Sequence, residues 1–132
     1  MNADEFDALT EKVIAAVFEV SNTLGTGFLE KVYERALARE LHLRGINAVT
    51  QVSLSVHYKG RSVGDYFVDL LIEDVLAVEL KCVDRLAPEH TAQCINYLKA
   101  CSRSVCLLVN FQHPKVEWRR VVNAFEEEAL LN

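Results

Sequence analysis

The stretch Asp69–Lys81 reads DLLIEDVLAVELK, and the parity of its turn decides how the chain folds around a site. Two apolar runs, Leu70–Ile72 and Val75–Val78, flank Glu73-Asp74 as two strands flank a turn. Asp69 opens the segment, and Glu79 and Lys81 close it. Burying unpaired charge is expensive, so such groups pair with each other or hold a metal ion. Glu79 and Lys81 lie two apart on one strand and share a face. A two-residue turn sets Ile72 opposite Val75 and leaves Asp69 facing away from Glu79. A three-residue turn, Glu73-Asp74-Val75, sets Ile72 opposite Leu76 and Asp69 opposite Glu79, with Cβ atoms about 5 Å apart. A bulge does the same. A converged site therefore requires the three-residue turn or a bulge.

Converged, Asp69 and Glu79 make an oxygen site for a hard divalent cation, and Mg²⁺ takes one or two carboxylates plus waters and substrate phosphate. Lys81 beside it orients a water and offsets phosphate charge. The plainer alternative is a hairpin with edge charges and a Glu-Lys pair, because short patterns of this kind recur by chance.

Outward from the hairpin, the pattern predicts an α/β chain. Leu9, Val13, Val17, Val20 and Leu24 recur at helical spacing over about Asp4–Leu24. Gly25-Thr26-Gly27 breaks the pattern, and a second helix is expected over about Phe28–Arg44, stopped by Gly45. Strands are expected over Val49–Tyr58, Arg61–Ile72 and Val75–Lys81, the last apolar enough to be covered on both faces. Pro88 suits the first position of a helix reaching about Cys101. Strands follow at Ser104–Phe111 and Val116–Val122, and the acidic tail is expected to be helical. This order predicts a three-layer α/β/α sandwich with a mixed central sheet of four or five strands.

The 132 residues suit one domain, 1–132, with half of them hydrophobic and a quarter charged. No apolar run reaches about 18 residues, so no membrane span is expected. The acidic N-terminus, MNADEFDALTEK, does not resemble a secretory signal, which points to a cytoplasmic protein with reduced thiols. Cys82, Cys94, Cys101 and Cys106 include no pair with two-residue spacing. They read as small buried hydrophobes, with a cysteine-bound metal cluster as the alternative. The net charge is −5. It is carried by the ends, since residues 1–24 hold five acids and one Lys and residues 126–128 are three Glu. The body, 25–125, has 13 Lys and Arg against 11 Asp and Glu, which permits a phosphate-bearing partner.

Several motifs line up in order along the chain. Gly27-Phe28-Leu29-Glu30-Lys31-Val32-Tyr33 fits G-x-x-E-x-x-Y, and Tyr58-Lys59-Gly60, the D…ELK hairpin, a helix with His90, Gln93 and Tyr97, and LLVNF follow it. From about Ile14 to Val122 the chain resembles the GxxExxY protein family, a branch of the PD-(D/E)XK, restriction endonuclease-like, nuclease superfamily. The resemblance implies a mixed sheet flanked by helices. It implies that Asp69, Glu79, the Leu80 carbonyl and Glu30 hold Mg²⁺ or Mn²⁺. It also implies that Lys81 serves phosphodiester hydrolysis and that Gln93 and Tyr97 reach the site or substrate. Val68 stands where the superfamily pattern has Pro; GxxExxY proteins generally lack that Pro.

Elementary physics supplies other reasons for some of these residues. Glu30 in a first helical turn is favoured by the helix dipole. Gln93 and Tyr97 share a helix face, yet a Tyr is more often a core aromatic with its hydroxyl satisfied. His90 reads as a surface residue near a helix start, and Tyr33 as packing. The expected function is a metal-dependent nuclease acting on DNA or RNA. Its rivals are a silent nucleic-acid- or protein-binding module on the same fold, and a purely structural domain in which Glu30, Asp69 and Glu79 do not converge. A lone small nuclease domain offers a short binding surface, which leaves room for a homodimer.

Overall fold

The computed structural model describes residues 1–123; the expected acidic-tail helix lies outside them. Helix α1, Ala3–Leu24, starts at Asn2, whose side chain accepts the Glu5 N–H at 2.8 Å. Its apolar stripe, from Phe6 to Val20, is buried. Helix α2, Glu30–Leu43, begins two residues later than the pattern predicts. Gly25 and Gly27 have φ of 71° and 100°, and Leu29 is extended, so the chain cannot turn helical before Glu30.

Strands β1 (Ala48–Tyr58), β2 (Arg61–Ile72) and β3 (Leu76–Lys81) form a meander. Helix α3 (Pro88–Cys101) crosses to β4 (Val105–Asn110), which pairs parallel to β3, and β5 (Glu117–Val122) closes the sheet antiparallel. The five strands lie in chain order, β1-β2-β3-β4-β5. The sheet is therefore mixed, as the sequence predicts.

Alternation along β3 and β4 sorts the core into two layers. Leu76, Val78, Leu80, Val105, Leu107 and Val109 pack with α1 and α2. Ala77, Cys106 and Leu108 pack with Cys94, Tyr97 and Leu98 of α3. Helices thus cover both faces, which makes the three-layer sandwich and explains why β4 is buried throughout. The four thiols are free, and Cys94 and Cys106 serve as core side chains. Among the described residues, no helix is long and apolar enough to cross a membrane.

The hairpin turn settles the parity. Glu73 and Asp74 take φ of 51° and 60°, and Val75 N–H donates to the Ile72 carbonyl at 3.0 Å. Ile72 then pairs with Leu76, Leu71 with Ala77 and Leu70 with Val78. This is the three-residue register that a converged site needs. Arg103 secures the turn by an ion pair to Asp74 at 2.9 Å.

The fold depends on β4 as an interior strand buried along its whole length. Leu107→Ala should cost about 3 kcal/mol through lost contacts and a residual cavity. Urea unfolding of the variant should show a lowered midpoint at unchanged m-value.

Candidate active site

The β2–β3 ladder ends at Leu70–Val78. One residue on, the Asp69 carboxylate takes the place of a backbone acceptor and receives the Leu80 N–H at 2.7 Å. Beyond this point β2 leaves β3 and continues with β1 alone, to Tyr58 and Arg61. N–H and C=O of one strand residue point to the same side. The Leu80 carbonyl is thus directed into the gap beside Asp69, and Leu80 lines the cleft there.

That cleft, of about 340 Å³, is walled by Leu29, Glu30, Lys31 and Glu34 of the α2 start and by Asp69 and Leu80. Two residues at this cleft, Glu34 of its wall and Gln51 behind it, carry no role in the sequence reading. Glu34 is 4% exposed, accepts from Lys31 Nζ at 2.8 Å, and accepts from the Gln51 side chain. Gln51, at φ 52°, also donates to Asp69 Oδ1 at 3.3 Å, so it ties β1 to both carboxylates. Glu34 carries a sequence signal, since it falls one turn after Glu30 on the same face. Gln51 carries none, because its partners are 17 and 18 residues away.

Glu79 points from β3 to the α3 side and is 6% exposed. Its Oε1 has no hydrogen-bond partner. Burial, then the charge of Asp69, pushes its carboxyl up to about 8. Burial also raises Asp69, against the Leu80 N–H that favours its charged form, and Glu34 adds to the rise. Glu30 is raised by desolvation at the cleft and next by Asp69, although the residue as a whole is exposed. Glu30 and Glu79 therefore each feel the charge of Asp69, and the charge of Lys81 opposes the rise in all three.

Lys81 shares the Glu79 face, with Nζ 3.5 Å from Gln93 Oε1 on α3. Gln93 thus meets Lys81. Tyr97 lies one turn further along α3, buried, its ring 5.5 Å from that of Tyr66. Four residues of helix are about 6 Å of rise, enough to carry Tyr97 past the carboxylates into the core. His90 caps α3, its Nδ1 accepting the Ala87 N–H at 2.9 Å. Tyr33 stacks on Phe111 at 4.6 Å and donates to the Gly25 carbonyl at 2.7 Å, pinning the loop that delivers Glu30.

Among the described residues, no three His, Cys, Asp or Glu side chains form a ready-made metal cluster. The donors present suit a cation that keeps open positions. The Asp69 carboxylate and the Leu80 carbonyl are hard oxygens at the gap, and the buried, partnerless Glu79 Oε1 belongs to a carboxyl that the Asp69 charge helps to raise. Mg²⁺ binds through one or two carboxylates and fills its remaining positions with water and phosphate oxygen.

Comparison with known proteins gives the family and supports the fold. The model of the PD-(D/E)XK nuclease superfamily matches residues 7–121. The chain belongs to that superfamily and is a nuclease-like domain. Among solved structures, SSO0001 is similar at TM-score 0.58 and 19% identity over 77% of this chain; the chain spans 54% of SSO0001. LHK-Exo, an alkaline exonuclease from Laribacter hongkongensis, was solved in complex with dAMP. That complex is similar at TM-score 0.50 and 16% identity, over 87% of this chain and 83% of that one. No curated protein matches the chain in sequence.

The raised carboxylate of Glu79 has a consequence for stability. Without a divalent ion, the folded protein holds a proton there that the unfolded chain releases near pH 4.5. Stability is therefore full below that pH and falls as pH rises toward about 8. The slope is at most about 1.4 kcal/mol per pH unit. Urea midpoints in EDTA at pH 5 and pH 8 should show this loss in wild type and much less of it in Glu79→Gln.

Proposed function

We propose that this chain is a metal-dependent nuclease of the GxxExxY branch, hydrolysing phosphodiester bonds in DNA or RNA. The observation that carries this reading is the Asp69 carboxylate on the Leu80 N–H at the split between β2 and β3, beside the partnerless Glu79 Oε1. Asp69, Glu79 and the Leu80 carbonyl would hold Mg²⁺ or Mn²⁺, with Glu30 reaching the same ion or a second one, directly or through water. When bound, the cation supplies positive charge against the phosphate and acidifies water.

The chain's own residues do the rest. Lys81 presents its ammonium to the scissile phosphate and positions the attacking water, while Gln93 Oε1 orients Nζ. Water adds to phosphorus, the P–O bond to the leaving sugar breaks, and the released oxygen takes a proton. Lys31 holds Glu34, which with Gln51 keeps Asp69 in place. The GxxExxY stretch has a physical basis in this scheme. Gly27 permits the positive φ before α2, Glu30 opens the helix at the cleft, and Tyr33 pins the loop. The likeness to an exonuclease solved with dAMP supports a nucleic-acid substrate.

A ligand that binds only the folded state raises its stability, by about 2.7 kcal/mol at a hundredfold excess over Kd. Millimolar Mg²⁺ or Mn²⁺ should raise the melting temperature of wild type and leave Asp69→Ala unmoved. On a panel of single- and double-stranded DNA and RNA, Lys81→Ala should lower turnover by about a hundredfold or more. Absence of cleavage across the panel with either metal, in a protein that still binds the ion, would leave a silent binding module instead.

A further inference from the structure

We propose that the groove between α3 and the outer β1–β2 ribbon is a subsite for an unstacked nucleobase of single-stranded nucleic acid. This rests on the nuclease reading and names the form of substrate. Past Asp69 the ribbon has no β3 beside it, so its α3-facing side chains border an open space of about 520 Å³. Leu54, Val56 and Tyr66 line it from the ribbon, and Tyr97 lines it from the helix. Tyr66 is the half-buried aromatic of the groove, its ring backed by the buried ring of Tyr97 with centroids 5.5 Å apart and planes tilted by 37°. Such a ring takes bases by stacking, whatever the base, because every base has a π-face.

The rim has the groups a nucleotide needs. Gln93 and Asn96 bring side-chain amides, each with donors and an acceptor for a base edge. Lys99 brings a cation for a flanking phosphate. The groove also meets the proposed catalytic residues at one point. Gln93 lines it and at the same time faces Lys81 Nζ, and Tyr66 lies three residues, or about 10 Å of strand, from Asp69. Lys59 and Arg61 at the ribbon tip continue positive charge beyond Val56. A base in a duplex is stacked and paired, so only a single strand, a frayed end or a flipped nucleotide presents a free face to this groove.

The test compares binding of a single-stranded oligonucleotide with that of an abasic polymer of equal length and charge. It uses Lys81→Ala protein in Mg²⁺, read by fluorescence anisotropy. The base-bearing strand should bind about tenfold tighter, the scale of one stacked base. Ala100→Trp, at an exposed helix position on the groove wall, should bring that ratio to about one and leave the abasic affinity intact. Ala100→Leu, a smaller filler at the same position, reads the same effect if Ala100→Trp misfolds. Equal affinity for both polymers, a ratio untouched by either filled-groove variant, or binding of neither polymer overturns the subsite. Hydrolysis by wild type is scored separately. Cleavage without base-dependent binding rejects the groove alone, and base-dependent binding without cleavage rejects the nuclease reading alone.

Discussion

The site depends on one hydrogen bond, from the Leu80 backbone N–H to the Asp69 carboxylate. A strand amide at the middle of a sheet must have an acceptor. Normally the neighbouring strand's carbonyl provides it, and the two strands stay together. Here a side chain provides it, and β2 is free to part from β3 after three paired residues. The parting makes the cleft on the α2 side and the groove on the α3 side. It also lets charged residues sit in an apolar sheet with access to solvent. β3 stays rigid because β4 pairs with it along six residues on its other edge.

The carboxylates around that bond are held at a cost. Glu79 is desolvated against α3, Asp69 sits at the split, and Glu30 meets them from the α2 layer. Desolvation and mutual repulsion both favour their protonated forms, and Lys81 is the one cation that all three share. A fold selected for stability alone would have replaced Glu79 by an apolar residue of similar volume. Neighbouring carboxylates whose charged forms are disfavoured mark a candidate site for cations or acid–base chemistry, in keeping with membership of the PD-(D/E)XK superfamily.

Much of this was legible because periodicity reports burial directly. The stripe of α1, the doubly buried β3 and β4, and Pro88 at the start of α3 all follow from local pattern. The Glu79–Lys81 face follows from strand parity. Even the three-residue turn could be stated as a condition. The α2 start was misplaced because two positive-φ glycines and an extended Leu29 delay the helix. The i,i+4 spacing of Gln93 and Tyr97 gives a shared face without saying that Gln93 is the one to meet Lys81. Gln51 could not be found at all, since a polar residue on an alternating strand reads as solvent-facing until its partners are placed.

By itself, then, the sequence determined the two helical layers, the apolar strands between them, and the order in which Glu30, Asp69, Glu79 and Lys81 appear. Those properties are local, set by side-chain periodicity and turn chemistry within a few residues. The tertiary structure alone decided that β2 and β3 separate at Asp69 and that Glu34 and Gln51 brace its carboxylate. It alone decided that Gln93 meets Lys81 while Tyr97 joins the core. These depend on contacts between segments 11 to 18 residues apart, and hydrogen bonds of that reach exist only once the layers have packed.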